Sequence, residues 1–309
     1  MAIAPPPSLS FRQSRKGGEI LDPPAANPGN ILKIPWHLIL LIHGYNNNLK
    51  DGRDAYEGFR RMQKELGDQD RDRPVTGEQM VDIYWPGDAD WGIFSPLYYM
   101  GSIDKAKRTA VSLAGEVEKA VRESGFKFID IVAHSMGCRL TLEFIKHLAS
   151  APDLKVHRIV FMAAAVPTFM FDPTDGNQLR TAYDTKLQDG AISLFSPDDM
   201  VLSSAFPFGQ TLAGEGEGWF PTALGHNLWQ SHLTPSNLSQ HQVFGAGHSD
   251  YWGWNNDTLE QARQANRYVR EFLRFYDVGA REVLSRLVAE RQTAEDRTLE
   301  NYSPEDIED

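Results

Sequence analysis

The sequence predicts an α/β fold in which a mostly parallel, open sheet is flanked by helices. Short runs rich in Val, Ile, Leu and Phe recur without strict alternation, as expected of strands that are covered on both faces. Helical patterns lie between these runs, and a strand–helix–strand order with short links favours right-handed crossovers. A length of 309 residues, of which 41% are hydrophobic, is ordinary for a single large domain of this class.

The individual elements follow from local patterns. Six apolar runs are predicted strands: Trp36–Ile42, Met80–Tyr84, Phe128–Val132, Val156–Ala163, Ala191–Phe195 and Gln240–Phe244. Apolar residues at spacings of three and four predict two helices, over residues 103–121 and 259–276. A last helix is expected to end near Val288. Because ligands bind at the carboxyl ends of strands in such sheets, catalytic residues are expected directly after strands.

The two ends of the chain differ from its centre. Residues 1–30 are rich in proline and glycine and show little periodicity, so they are expected to form a loose arm. The folded domain is predicted over residues 31–290. Residues 291–309 are acidic and are expected to fray as a tail.

Composition and charge argue against several classes of partner. The formal net charge is −11 and no long Lys/Arg run occurs, so nucleic acid is not an expected partner. A single cysteine, Cys138, permits no intramolecular disulfide. The N-terminus lacks the apolar stretch of a secretory signal, and the run "WHLILLI" is too short to span a bilayer. We therefore expect a soluble, cytoplasmic protein without stable membrane insertion, whose oligomeric state stays open.

A serine stands where a strand turns into a helix. In "FIDIVAHSMGCRL", the apolar run of residues 128–132 is followed by Ala133-His134-Ser135-Met136-Gly137 and then by a helical pattern. A tight strand-to-helix turn leaves little room two positions either side of the serine, which explains Ala133 and Gly137. Such a turn projects the Ser135 hydroxyl away from the sheet and points the free amides of the new helix at whatever binds there. The alternative is an ordinary turn serine.

The earliest predicted strand ends in "LILLIHGYNNN". Gly44 permits a turn there, and the amides of Tyr45 and Met136 would be two donors for a developing oxyanion. The side chain of His43 is expected to be buried and to support the turn rather than to take part in catalysis.

An acid and a histidine follow the last two predicted strands. Asp198 and Asp199 lie where a carboxylate would orient a histidine, and we prefer Asp199 with Asp198 as the fallback. His248 follows two glycines in "FGAGHSDYWG" and suits a base that takes and returns a proton. Several other histidines lie nearby, but no tight ligand spacing appears, so neither a metal nor another cofactor is expected.

Aromatic residues follow the strand that ends at Tyr84. Trp85, Trp91 and Phe94 would line a substrate pocket, or alternatively pack their loop onto the next helix. His134, next to the serine, is also a candidate substrate-binding residue. Cys138 is expected to pack inside the helix rather than to act as a second nucleophile.

Taken in order, these motifs resemble the α/β-hydrolase superfamily, and within it a bacterial lipase-like group of unknown function. The resemblance rests on "HGYNNN", "WPG", "AHSMG", "ALG" and "GHSDYW" and covers residues 35–251. It implies Ser135 as nucleophile, His248 as base and Asp199 as acid, with the amides of Tyr45 and Met136 as oxyanion hole. Ala133 stands where a glycine is commoner, and the short segment before Trp36 predicts a sheet that is short on that edge.

The predicted activity is the hydrolysis of a small-molecule carboxylic ester through an acyl-enzyme. Three alternatives stay open at this point. The same triad would serve a thioesterase or an acyltransferase, the fold would serve a catalytically silent interaction protein, and the histidines would serve a metal-dependent hydrolase.

Overall fold

A computed structural model of the protein describes residues 5–14, 17–27, 29, 32, 37–45, 47–70, 80–87, 96–124, 128–148, 154–173, 178–213, 219–226 and 234–273. The strands are β1 (Ser8–Ser14), β2 (Gly17–Asn27), β3 (His37–Ile42), β4 (Met80–Tyr84), β5 (Phe128–His134), β6 (Val156–Met162), β7 (Leu187–Phe195) and β8 (Leu238–Gln242). The helices are α1 (Leu49–Asp70), α2 (Pro96–Ser124), α3 (Met136–His147), α4 (Gln178–Lys186), α5 (Phe206–Ala213) and α6 (Leu259–Leu273).

The strands form one eight-stranded sheet in the order β2-β1-β4-β3-β5-β6-β7-β8. Neighbouring strands run parallel, except that β2 lies antiparallel to β1 at one edge. The predicted α/β class, with a mostly parallel sheet flanked by helices, is confirmed.

The six predicted strands are present as β3 to β8, with shifts at their ends. β4 has the predicted bounds, whereas β7 begins four residues earlier than expected and β8 lies two residues earlier. The predicted helix over residues 103–121 lies inside α2, and the predicted helix over residues 259–276 is α6. Residues 274–309, with the expected last helix and the acidic tail, lie outside the described residues.

Residues 8–27 differ from the expected loose arm. They form β1 and β2, and β1 pairs in parallel with β4, so the sheet is not short on that edge. Leu9 and Phe11 are buried in the core on one face of β1, which ties this segment to the domain. Pro23 and Pro24 are tolerated because β2 is the edge strand, where a missing backbone N–H need not break a ladder. The folded domain therefore includes β1 and β2 and begins earlier than the predicted residue 31.

The sheet is covered on both faces, which explains its apolar strands. On one face Tyr56 and Phe59 of α1 and Val269 of α6 are fully buried against it. On the other face Leu113 of α2 and Phe144 of α3 are fully buried. Removing side chains of this size from water stabilises a fold by roughly 1.5–3 kcal/mol each.

The chain leaves β3 for β4 on one side and returns to β5 on the other side of β3. In the parallel register Ile42 pairs with Ala133, so β3 and β5 end next to each other. His134, at the end of β5, pairs with Met162 of β6. A crevice forms outside the carboxyl ends of strands at such a switch point. The loops after β3, β5, β7 and β8 all begin at this edge.

Candidate active site

Ser135 occupies a strained turn between β5 and α3. Its backbone has φ 55° and ψ −124°, a region that residues with a Cβ rarely adopt. The turn is held by the Ser135 amide, which donates to Met162 O at 2.9 Å. A Cβ at Gly137 would lie 2.5 Å from the carbonyl oxygen of His43, so no larger residue fits there. The sequence-predicted strand–turn–helix around the serine is thus present.

The structure brings Ser135, His248 and Asp199 together at the edge. His248 Nε2 lies 2.8 Å from Ser135 Oγ, and His248 Nδ1 lies 2.8 Å from Asp199 Oδ2. Since an ionised carboxylate can only accept, Nδ1 carries the proton and donates to Asp199, and Nε2 is left to accept from the hydroxyl. This arrangement can move a proton from the hydroxyl to the imidazole.

Asp199, not Asp198, faces the imidazole. The Asp199 side chain is fully buried, and its second oxygen, Oδ1, accepts from the amides of Val201 and Leu202 at 3.0 Å. Both carboxylate oxygens are therefore satisfied, as a buried charge requires. Asp198 is exposed in the preceding turn.

His134 lies beneath the loop that carries His248 rather than in an open pocket. It is buried, and its Nε2–H donates to the carbonyl oxygen of His248 at 2.6 Å. Its ring lies 5.1 Å from the ring of His248. Burial, and next the proximity of His248, lower the pKa of His134 to about 3, so the His134 ring is neutral at neutral pH. His134 was expected to contact the substrate, whereas in the structure it contacts the loop that carries His248.

The turn after β3 lies directly against the serine. A Cβ added to Gly44 would lie 2.7 Å from Ser135 Cβ and 2.9 Å from His134 Nδ1, so only glycine permits this approach. Tyr45 is the next residue, and Met136 is the first residue of α3, where amides have no partner within their own helix. The two backbone segments predicted to supply an oxyanion hole are therefore adjacent to the hydroxyl. Their role as donors stays a prediction.

The ring of His43 supports this turn, as its sequence context predicted. It is fully buried, its Nδ1 donates to Gly44 O at 2.9 Å, and its Nε2 accepts from the Trp85 amide at 3.4 Å. Burial is the main reason that the pKa of His43 is lowered to about 3.

Trp85 packs against this histidine and does not line an open pocket. Its side chain is fully buried, stacks on the ring of His43 at 5.7 Å, and donates from Nε1 to His43 O at 2.8 Å. A side chain with no exposed surface cannot contact substrate in this conformation. Trp85 therefore has a packing role here and does not line a substrate pocket. Trp91 and Phe94, the other predicted pocket residues, lie outside the described residues.

Cys138 has the expected packing role. Its thiol is fully buried on α3, donates to Ala133 O at 3.3 Å, and has a pKa that burial raises well above its ordinary value. A thiol that stays protonated is a poor nucleophile.

Sequence reasoning missed a supporting role for Gly225. A Cβ at Gly225 would lie 2.0 Å from Ala164 N, so only glycine fits there. The carbonyl oxygen of Gly225 accepts from the amide of Ser196, in the segment that leads to Asp199. The motif "ALG" at residues 223–225 was the available signal.

The fold and this site define the class of the protein. The chain belongs to the family described as alpha/beta hydrolases of unknown function (DUF900), whose model matches residues 33–204. Ser135 and Asp199 lie within the matched range, and His248 lies after it. No match is found among curated proteins.

Solved structures of low sequence identity are similar over most of the chain. A putative cell surface hydrolase from Lactobacillus plantarum is 13% identical, with 77% of this chain and 92% of that chain covered at a TM-score of 0.41. TT1662 from Thermus thermophilus is 13% identical, with 78% and 89% covered at a TM-score of 0.43. Est1E from Butyrivibrio proteoclasticus, solved with bound ferulic acid, is 15% identical, with 79% and 90% covered at a TM-score of 0.39.

Two features of the described residues bear on other kinds of site. Within the ranges given above, no helix has the length and apolar character needed to cross a membrane. Over the same part of the chain, His, Cys, Asp and Glu side chains form no group of three or more that could hold a metal ion.

Proposed function

We propose that this protein is a serine hydrolase that cleaves carboxylic esters through an acyl-enzyme. The observation that carries the proposal is the continuous chain of hydrogen bonds from Ser135 Oγ through both nitrogens of His248 to Asp199. A nucleophile within reach of a base, and a base oriented by a third group, are the geometric signs of covalent catalysis by serine.

In the first half-reaction the Ser135 oxygen attacks the ester carbonyl while His248 Nε2 takes the hydroxyl proton. The tetrahedral intermediate collapses, the bond to the alcohol breaks, and His248 returns the proton to the leaving alkoxide. In the second half-reaction water attacks the acyl-enzyme with the same base, and the carboxylic acid and free Ser135 are released. Asp199 keeps Nδ1 protonated and stabilises the charged imidazole.

The negative charge that develops on the carbonyl oxygen needs donors next to Ser135. We assign this role to the backbone amides of Tyr45 and Met136, because the turn at Gly44 and the start of α3 both contact the serine. Removing a single donor of this kind from a hydrolase costs about 10²–10³ in turnover.

The substrate proposed is a small-molecule ester, and no cofactor takes part. A thioesterase or an acyltransferase would use the same three residues, so product analysis must separate them. Rates measured with oxygen esters and thioesters of the same acyl group distinguish an esterase from a thioesterase. Added alcohol acceptors distinguish transfer from hydrolysis, because only transfer yields a new ester.

The experiment is a series of p-nitrophenyl esters of increasing acyl length, assayed on the wild type and on Ser135→Ala. Turnover of at least one ester by the wild type, with a loss of several orders of magnitude in the variant, supports the proposal. Equal rates for the two proteins, or no hydrolysis of any oxygen ester or thioester by folded wild type, would overturn it. Circular dichroism of both proteins is the control for folding.

A further inference from the structure

Arg12 lies on β1, within the N-terminal segment, and its side chain is buried although it carries a charge. Its exposed fraction is 5%. In the parallel register of β1 and β4, Ser10 pairs with Tyr84, the last residue of β4. Arg12 is two residues further along β1, so it extends beyond the end of β4 to the edge of the sheet where the candidate active site lies.

The guanidinium of Arg12 hydrogen-bonds to two different loops of this edge. Its Nη1 donates to Trp85 O at 3.0 Å, directly after β4, and to Asn47 O at 3.3 Å, after β3. These bonds join segments that are 73 and 35 residues away in the chain. Burying a charged group is costly unless its hydrogen bonds are made, so such a residue fixes the carbonyls around it.

Asn47 and Trp85 also donate hydrogen bonds to the His43–Gly44 turn, which contacts the serine. Asn47 Nδ2 donates to Gly44 O at 3.3 Å, and Trp85 Nε1 donates to His43 O at 2.8 Å. Arg12 is therefore one residue removed from each carbonyl of the His43–Gly44 turn. The backbone of Gly44 lies close enough to Ser135 that a single added carbon would clash.

We infer that Arg12 is a positioning residue for the oxyanion hole, acting through Asn47 and Trp85 on the turn at Gly44. The inference rests on the proposed function, because it assigns a role in the same site. Through Arg12, the N-terminal strand β1 would then support the candidate active site. A misplacement of a catalytic group by about 1 Å can cost up to 10²-fold in rate, so the loss of this support is expected in turnover rather than in substrate binding.

The test compares Arg12→Met with Arg108→Met in the full-length chain. Arg108 of α2 is an exposed arginine that pairs with Glu19 of β2 at 3.2 Å, so its replacement also removes a contact of the N-terminal strands. Within the described part of the chain its ion pairs are with Glu19 and Asp104, and it does not bond to the carbonyls of Asn47 and Trp85, which makes it a matched control. The substrate is the p-nitrophenyl ester that the wild type hydrolyses best, and the transition-state probe is a trifluoromethyl ketone with the same acyl group.

The expected result for Arg12→Met is a fall in kcat of at least tenfold with KM within about twofold of the wild type. The Ki of the ketone should rise by a similar factor, because its tetrahedral oxyanion uses the same donors. Arg108→Met should stay within about twofold in all three constants. Arg12→Lys should recover part of the turnover, since it keeps a buried donor but not the fork of the guanidinium.

A kcat and a ketone Ki for Arg12→Met that match those of the wild type would overturn the inference. If Arg12→Met does not fold, Arg12→Lys decides in the same way, with unchanged constants counting against the inference and a joint loss of kcat and ketone affinity supporting it. A wild type that hydrolyses no ester is a different outcome, since it refutes the proposed function itself.

Discussion

The Nε2 atom of His134 lies 2.6 Å from the carbonyl oxygen of His248, so the residue before the serine holds the loop of the histidine that contacts the serine. The two rings are also neighbours, with 5.1 Å between their centroids. The chain thus fixes the distance between Ser135 and His248 twice, once through the side chains and once through this bond to the backbone.

Replacing His134 by Phe should therefore lower kcat by roughly tenfold with little change in KM. The ring volume is kept, but the donor to the His248 carbonyl is lost, and the imidazole of His248 is less well placed. His134→Gln, which retains a side-chain N–H, should recover part of the loss. Steady-state kinetics with a p-nitrophenyl ester measure both effects, and wild-type turnover in His134→Phe would refute this role.

Asp199→Asn should lower kcat by roughly 10⁴-fold, because an amide can donate to Nδ1 and favour the wrong tautomer of His248. Asp198→Asn is the matched control, since this neighbouring side chain is exposed. It should retain turnover within about twofold. A larger loss in Asp198→Asn than in Asp199→Asn would reverse the assignment of the acid.

Gly44→Ala should lower turnover by about 10²-fold or more. The new methyl group would lie 2.7 Å from Ser135 Cβ, so the turn must move away from the serine. Gly115→Ala is the control: a Cβ at this helical position meets nothing within 4 Å and should stabilise α2 by about 0.5–1 kcal/mol. Kinetics and thermal melts of both variants test the pair, and an active Gly44→Ala enzyme would contradict the close approach.

Acid should destabilise the protein through two buried histidines. The pKa values of His43 and His134 are lowered by burial from 6.5 to about 3. Between these values the unfolded chain binds more protons than the folded protein, so the free energy of unfolding rises with pH across this window and falls as pH drops from 6.5 towards 3. Each histidine contributes a slope of up to about 1.4 kcal/mol per pH unit.

Urea unfolding at several pH values from 4 to 8 measures this slope. His43→Gln should unfold with a shallower pH dependence than the wild type below pH 6.5, while the two should run parallel above pH 7, where both histidines are neutral in either state. Identical slopes below pH 6.5 would show that His43 is not held neutral in the folded protein.

Local patterns predicted those parts of the fold and the site that depend on neighbours in sequence. The strand–turn–helix around Ser135 and the carboxylate after β7 were predicted because each residue directly follows an apolar strand. The parallel register then places the ends of β3 and β5 side by side, with Ile42 opposite Ala133. Asp199 is the one of the two adjacent acids that faces His248, and its role as the acid stays a prediction.

The other features depend on contacts between distant segments. Leu9 and Phe11 alternate with polar residues in "SLSFRQS", a strand pattern that the surrounding prolines outweighed. The burial of Trp85 depends on His43, which lies 42 residues earlier in the chain. Aromatic residues in a loop carry no local sign of which side they pack on, so the pocket expected at Trp85 could not be distinguished from packing.

The most direct measurement of the central claim is covalent labelling of the folded protein by a fluorophosphonate, followed by mass spectrometry of the digested chain. A fluorophosphonate reacts with a serine only where a base removes the hydroxyl proton and donors stabilise the charged phosphoryl oxygen. We expect one adduct, on Ser135, in the wild type and in Asp198→Asn, and none in Ser135→Ala. No adduct on Ser135 of folded wild type, or equal labelling of Ser135→Ala, would contradict it.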